Sequence, residues 1–176
     1  MAGSLIKIDE EIVSSAVASV TLGGANWDSS YDVYQLAISN MEVDTNNAQI
    51  RLKFLASGVV QSTSNYDEAS KVLVSNTTFA NASLTNYQAF VLTYVGASTD
   101  TNARFNSTHY LFNMNNASEY SFETREITAF KNGAVLEGKQ GGGVYTVAEA
   151  HNGVEITCLG GNVTSGVFTL YGLKKS

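Results

Sequence analysis

The side chains of this sequence that could do chemistry are few, and their spacing forms no familiar catalytic set. Two histidines are present, His109 and His151. His109 lies in Thr108-His109-Tyr110-Leu111-Phe112, where strand alternation turns it away from Tyr110 and Phe112, and His151 stands just before Asn152-Gly153. Neither belongs to H-E-x-x-H or to any paired spacing that would hold zinc, so each reads as a structural or surface histidine. No metal and no cofactor is expected. The single cysteine, Cys158, has no partner for an intramolecular disulfide. In Gly153-Val154-Glu155-Ile156-Thr157-Cys158-Leu159 it falls on one face of a strand with no basic neighbour to activate it, so a buried, inert thiol is expected. G-x-S-x-G is missing, and Ser165 in Thr164-Ser165-Gly166 reads as a turn residue. Gly141-Gly142-Gly143 is not followed by Gly-Lys-Ser/Thr and so cradles no phosphate. It reads as a flexible connection or a close backbone approach.

Carboxylates come in three groups: Asp9, Glu10 and Glu11; Asp28 and Asp32; Glu119 and Glu123. A glycosidase needs two carboxyls facing each other across a cleft, and solvated strand faces would give the same pattern. Asp44-Thr45-Asn46 begins like a calcium loop but lacks its glycine and distal glutamate. The chain therefore reads as a non-enzyme. Its one tryptophan, Trp27, sits in the polar stretch Gly24-Ala25-Asn26-Trp27-Asp28-Ser29-Ser30-Tyr31. Exposed there, Trp27 with Asp28 and Tyr31 would form a surface for a sugar ring or a protein partner. Folded inward, the indole would plug one end of the domain, and that is the preferred expectation.

The elements that must position these residues are strands. No stretch sustains an apolar period of 3.6, whereas period 2 recurs. Gln49-Ile50-Arg51-Leu52-Lys53-Phe54-Leu55 turns Ile50, Leu52 and Phe54 inward and Arg51 and Lys53 outward, and Tyr34, Leu36 and Ile38 share a face in 31–38. Further strands are predicted at 17–22, 89–95, 108–113, 120–130, 144–148, 154–159 and 166–173. Asn132-Gly133 and Asn152-Gly153 are tight-hairpin signals, predicting antiparallel pairing of 144–148 with 154–159 and a final third of successive antiparallel strands. Residues 65–73 read as a helical turn or a strand entry, and 75–85 and 97–102 as polar loops. Residues 1–12 form an N-terminal arm or an edge strand of a single domain, 1–176. The fold class is all-β, an antiparallel β-sandwich of jelly-roll type. Proline is absent, so edge strands lack one common protection and are expected to be covered by a neighbouring subunit.

With 176 residues and 44% hydrophobic content, the chain can bury a core without disulfides. A net charge of −6 with only 10 basic residues argues against nucleic acid as partner, which needs clustered Lys and Arg. No apolar run is long enough to span a bilayer, and Asp9-Glu10-Glu11 turns the start acidic too early for a secretory signal. Synthesis in a cytoplasm is expected. The sequons at Asn76, Asn81, Asn106, Asn116 and Asn162 then read as unmodified turn residues.

Three segments together resemble small virion structural proteins of tailed bacteriophages, particularly marine and cyanobacterial ones. They are Ser19-Val20-Thr21-Leu22-Gly23-Gly24 with 27–34, Tyr110-Leu111-Phe112-Asn113-Met114-Asn115-Asn116 with 117–120, and 161–173, where Ser165-Gly166-Val167-Phe168-Thr169-Leu170-Tyr171-Gly172 is the most distinctive run. The likeness extends from about Leu5 to the C-terminus. It implies a jelly-roll-like domain on the virion exterior, as a tail-fibre or tail-associated component or as a capsid decoration. It also implies other virion proteins as partners and, with the unprotected edges, assembly as a homotrimer. It carries over no catalytic residue, and a host surface glycan is the further partner that an exposed Trp27 would suit. In the terminal run, Phe168, Leu170 and Tyr171 are expected to complete a core strand bounded by Gly166 and Gly172.

Overall fold

A computed structural model describes residues 4–76, 79–93, 97, 99–100, 102–131 and 135–173. These residues form two antiparallel sheets and contain no α-helix. The larger sheet has eight strands in the order β1 (Leu5–Val13), β13 (Val163–Leu173), β3 (Val33–Val43), β9 (Phe105–Phe112), β10 (Ser121–Lys131), β11 (Val135–Tyr145), β6 (Tyr66–Val74) and β7 (Ala80–Tyr87). The smaller sheet runs β2 (Ser19–Gly23), β12 (Gly153–Leu159), β4 (Gln49–Ala56) and β5 (Val59–Val60), with β8 (Phe90–Val91) also paired to β4. The expected all-β antiparallel sandwich is what forms.

The alternation in the sequence explains most of this. Tyr34, Leu36 and Ile38 from β3, and Ile50, Leu52 and Phe54 from β4, meet between the sheets with at most 1% of their surface exposed. Val154 and Ile156 of β12 and Phe168 and Leu170 of β13 complete this core. Full burial of one such side chain contributes roughly 1.5–3 kcal/mol. In the terminal run Tyr171 stands on the outer face, half-buried, while Phe168 and Leu170 point inward. Gly172 has a steric reason: a Cβ there would lie 2.4 Å from the Tyr31 ring. Residues 5–13 form an edge strand, paired on one side only, with Glu10 opposite Thr169.

Several expectations are corrected. Val144–Ala148 is not a strand of its own: Val144 and Tyr145 end β11, and the chain then leaves the sheet. Asn152-Gly153 joins no hairpin, because β11 and β12 lie in different sheets and β12 pairs instead with β2 and β4. Nor do β12 and β13 pair with each other. A turn signal is local, while the choice of sheet is decided by which inner face completes the core. Within the expected loop 75–85, residues 80–85 belong instead to the edge strand β7 (Ala80–Tyr87), whose polar composition reflects one unpaired edge and two wet faces. Of the two readings of 65–73, the strand is the one that forms, as β6 over Tyr66–Val74. Asn81 and Asn106 lie within strands, whereas Asn116 makes the expected turn by accepting from the Ser118 N–H at 2.9 Å. Asn132 and Gly133 lie outside the described residues, but the strands they separate do pair, with Lys131 opposite Val135. Residues 94–95 of the predicted strand 89–95 also lie outside the described residues, as do 98 and 101 of the predicted loop 97–102. Gly141-Gly142-Gly143 is strand interior. The close-approach reading holds: a Cβ on Gly143 would meet the Phe90 ring at 2.4 Å, and one on Gly141 would meet the Ala69 carbonyl at 2.3 Å.

Candidate functional site

Strand β10 reverses the usual polarity of a half-buried strand. Its inward positions are Ser121, Glu123, Arg125, Ile127 and Ala129, while Phe122 and Phe130 face solvent. Register sets His109 of β9 beside Arg125 and brings Lys139 of β11 and Glu68 of β6 onto the same inner face. The Arg125 guanidinium donates from both terminal nitrogens to Glu68 Oε2 at 3.1 Å and also contacts Glu123. Lys139 Nζ donates to Glu68 Oε1 at 3.0 Å, and His109 Nδ1 lies 3.3 Å from Glu123 Oε2. Burial lowers the basicity of His109 and outweighs the pull of Glu123. At Glu123 burial opposes the charge, yet Arg125, His109 and Lys139 together hold the carboxyl below its ordinary range. Burial likewise pushes the Lys139 ammonium down, against the attraction of Glu68.

This cluster is sealed, and its partners show what it does. Its side chains expose at most 2% of their surface. Glu68 Oε2 accepts the Val91 N–H at 2.8 Å, while the Val91 carbonyl accepts from Arg125 at 3.0 Å and from Lys139. The network therefore ties β8, a strand of the small sheet, to the far half of the large one. Glu119 and Glu123, grouped in the sequence, are split by the fold. Glu119 is exposed and accepts from Asn113 and Asn116, whereas Glu123 is internal.

His151 resembles a catalytic histidine in its contacts but not in its access. Its Nδ1 lies 2.9 Å from Ser121 Oγ and its Nε2 lies 3.7 Å from Glu149 Oε1. Ser121 is fully buried, and the imidazole packs against Phe54 and Tyr145 with centroids 5.0 Å from each. Burial lowers its pKa to about 4. A nucleophile that no substrate can reach is a structural hydroxyl. Cys158 matches expectation: it is buried, and burial raises its thiol to about 12.

Trp27, Asp28 and Tyr31 are brought together at one end of the sandwich. The indole stacks on Tyr34 with centroids 4.0 Å apart and donates from Nε1 to Asn115 Oδ1 at 2.9 Å. Asn115 also donates to the Tyr31 carbonyl at 2.7 Å, and Tyr31 meets Tyr34 edge-on at 6.1 Å. Asp28 is exposed and accepts from the Ser30 N–H at 2.9 Å. The Trp27 N–H and one indole face are thus used internally, which is the geometry of a plug.

A feature absent from the sequence reading lies on the outer face of the large sheet. Register aligns Ala37, Thr108, Glu126 and Gln140 in a row across β3, β9, β10 and β11. A second row holds Gln35, Tyr110, Thr124 and Gly142. The small residues Ala37 and Gly138 leave a depression of about 580 Å³ rimmed by Phe79 and Leu136. A second depression of about 460 Å³ is bordered by Tyr110 and Gln35. The two share Thr108, Glu126 and Gln140, so they form one groove. The sequence signal was the run 122–130, whose aromatic, Thr and Glu side chains share the face opposite Glu123 and Arg125.

No family model, curated protein or solved structure matches the chain.

Proposed function

We propose that the chain is a non-enzymatic structural protein of a tailed-bacteriophage virion, associated with the tail or its fibres, with a binding or assembly role on the particle exterior. The sequence resemblance to small virion proteins motivates this reading. The strand order supports its finer architectural part, a jelly roll. Strands β1-β13-β3-β9 and β2-β12-β4-β8 are two four-stranded rows of the kind a double Greek key produces, with β6, β7, β10 and β11 as insertions that widen the large sheet and β5 as a short addition to the small one.

The observation that carries the binding role is the distribution of polarity. Clustered ionisable groups are turned inward and neutralise one another, while Tyr110, Phe122, Phe130 and Leu136 are presented outward on one sheet face. Such a face is suited to contact with a partner. Hydrolysis of a glycan would need a second carboxylate opposite Glu126, and the described residues lining the groove provide none.

A second reading, capsid decoration, is favoured by the compact sandwich, whose described residues contain no α-helix and so no coiled-coil shaft. Mass spectrometry of purified virions tests the proposal, with immunogold labelling to separate the two positions. The polypeptide is expected in the particle and the label on the tail. Label on heads alone favours decoration, and absence of the polypeptide from virions overturns both.

A further inference from the structure

We infer that the groove across the outer face of the large sheet is a binding site for an extended, uncharged glycan. This deepens the proposed exterior binding role and rests on it. The occupant is constrained first by the backbone. Strands β3, β9, β10, β11 and β6 are all interior to the sheet, so their N–H and C=O groups are already paired in the ladders. A peptide adding as an extra strand has nothing to bond to there, and recognition must come from side chains.

Those side chains are hydroxyls, amides and ring faces. Thr108, Gln140 and Glu126 lie at the junction of the two depressions, and Gln140 Nε2 donates to Glu126 Oε1 at 3.2 Å. Tyr110, 41% exposed, stands beside them, and Leu136 and Phe79 border the far end. A sugar chain offers the matching alternation. Its hydroxyls pair with amide, hydroxyl and carboxylate groups, and its C–H faces rest on apolar surface. Five strands at the usual spacing give the groove a length of roughly 19 Å, an oligomer's length and not a monosaccharide's.

Charge settles the class of sugar. Glu126 is the carboxylate lining the groove. The basic residues that border it, Arg125 and Lys139, point through to the inner face and are held by Glu68. Lys71, opposite Gln140 at the β6 end of the row, is an exposed cation beside the groove and donates to Asn81. It is matched by Glu126, so with a net charge of −6 on the whole chain the groove offers no surplus positive charge to a uronate or a sialate. A neutral chain fits where an acidic one is repelled.

The test is a titration of the full-length ¹⁵N-labelled protein with maltohexaose, cellohexaose, xylohexaose and chitohexaose, and with alginate and hyaluronan oligomers as acidic counterparts. At least one neutral chain is expected to shift the amides of Thr108, Tyr110, Glu126 and Gln140 saturably, with the acidic chains inert. Tyr110→Ala is expected to weaken that binding about tenfold, while Val59→Ala on β5 of the small sheet leaves it unchanged. Groove amides that stay still with every neutral chain, shifts confined to the Trp27 end, or equal binding of the acidic chains would each overturn the inference. Groove shifts that depend on protein concentration alone would do the same, by pointing to a second copy as occupant. Virions that contain the chain but whose protein shows a silent groove would leave the placement standing and remove the glycan. Glycan binding by a chain absent from virions would do the reverse.

Discussion

His151 links a single buried contact to the acid stability of the molecule. The unfolded chain takes up a proton on this imidazole as pH falls below its ordinary value of 6.5, whereas the native chain resists until about 4. Between those values the unfolded state binds more protons, so native stability falls as pH falls through that window. The contribution at neutral pH is about 3 kcal/mol, lost progressively on acidification. His109 acts in the same direction, since burial lowers its basicity too. Urea midpoints measured from pH 7 to pH 4 should decline steeply for the wild type and less steeply for His151→Gln; equal slopes would show that this imidazole is not protected. At this scale the sequence was partly legible. Cys158 could be placed inside from alternation, whereas the inward Trp27 was one of two readings and is fixed by Tyr34 and by Asn115, 88 residues away. The Arg125–Glu68 pair could not, because its partners are 57 residues apart and meet only through sheet order.

At the scale of the element, the charged cluster accounts for how β8 is held. Two residues long, this strand has little ladder of its own, and the Val91 backbone bonds to Glu68, Arg125 and Lys139 instead. Removing one partner of a buried pair leaves the other charge uncompensated, at a cost of about 3–5 kcal/mol. Arg125→Met should therefore destabilise the protein by that order and selectively expose the Val91 amide to hydrogen exchange. A uniform loss of protection, with Val91 no worse than the core of β3, would contradict the role assigned here. Strands with an apolar inner face, such as β3, β4 and β12, were readable because hydrophobic period 2 reports the core directly. Strand β7 was hidden by its polar composition, and β10 was found as a strand with its inverted polarity unremarked, since alternation alone does not say which face is inside. The groove depends on register between five strands, and no single segment records it.

At the scale of the whole molecule, the two free margins of the large sheet differ. Strand β7 is polar, whereas β1 exposes Leu5, Ile6 and Ile12, the last 63% exposed, along an unpaired edge without proline. An apolar open edge is a site for association with another chain. The homotrimer that the resemblance implies is proposed to use the exposed side chains of β1, and sedimentation should then give three times the chain mass for the wild type and one chain mass for Ile12→Lys. Wild-type sedimentation as a single chain would remove the β1 edge from the account. On the proposed reading the edge serves assembly and the outer face contact, while the sealed charges tie the two sheets together.

The most direct measurement is an averaged electron-microscopy map of the tailed-bacteriophage particle proposed to carry this chain. The account predicts density for the two-sheet sandwich on the particle exterior, at the tail, with the outer face of the large sheet turned away from the particle axis. Density confined to the interior of the head, or a particle whose exterior contains no such sandwich, would contradict it.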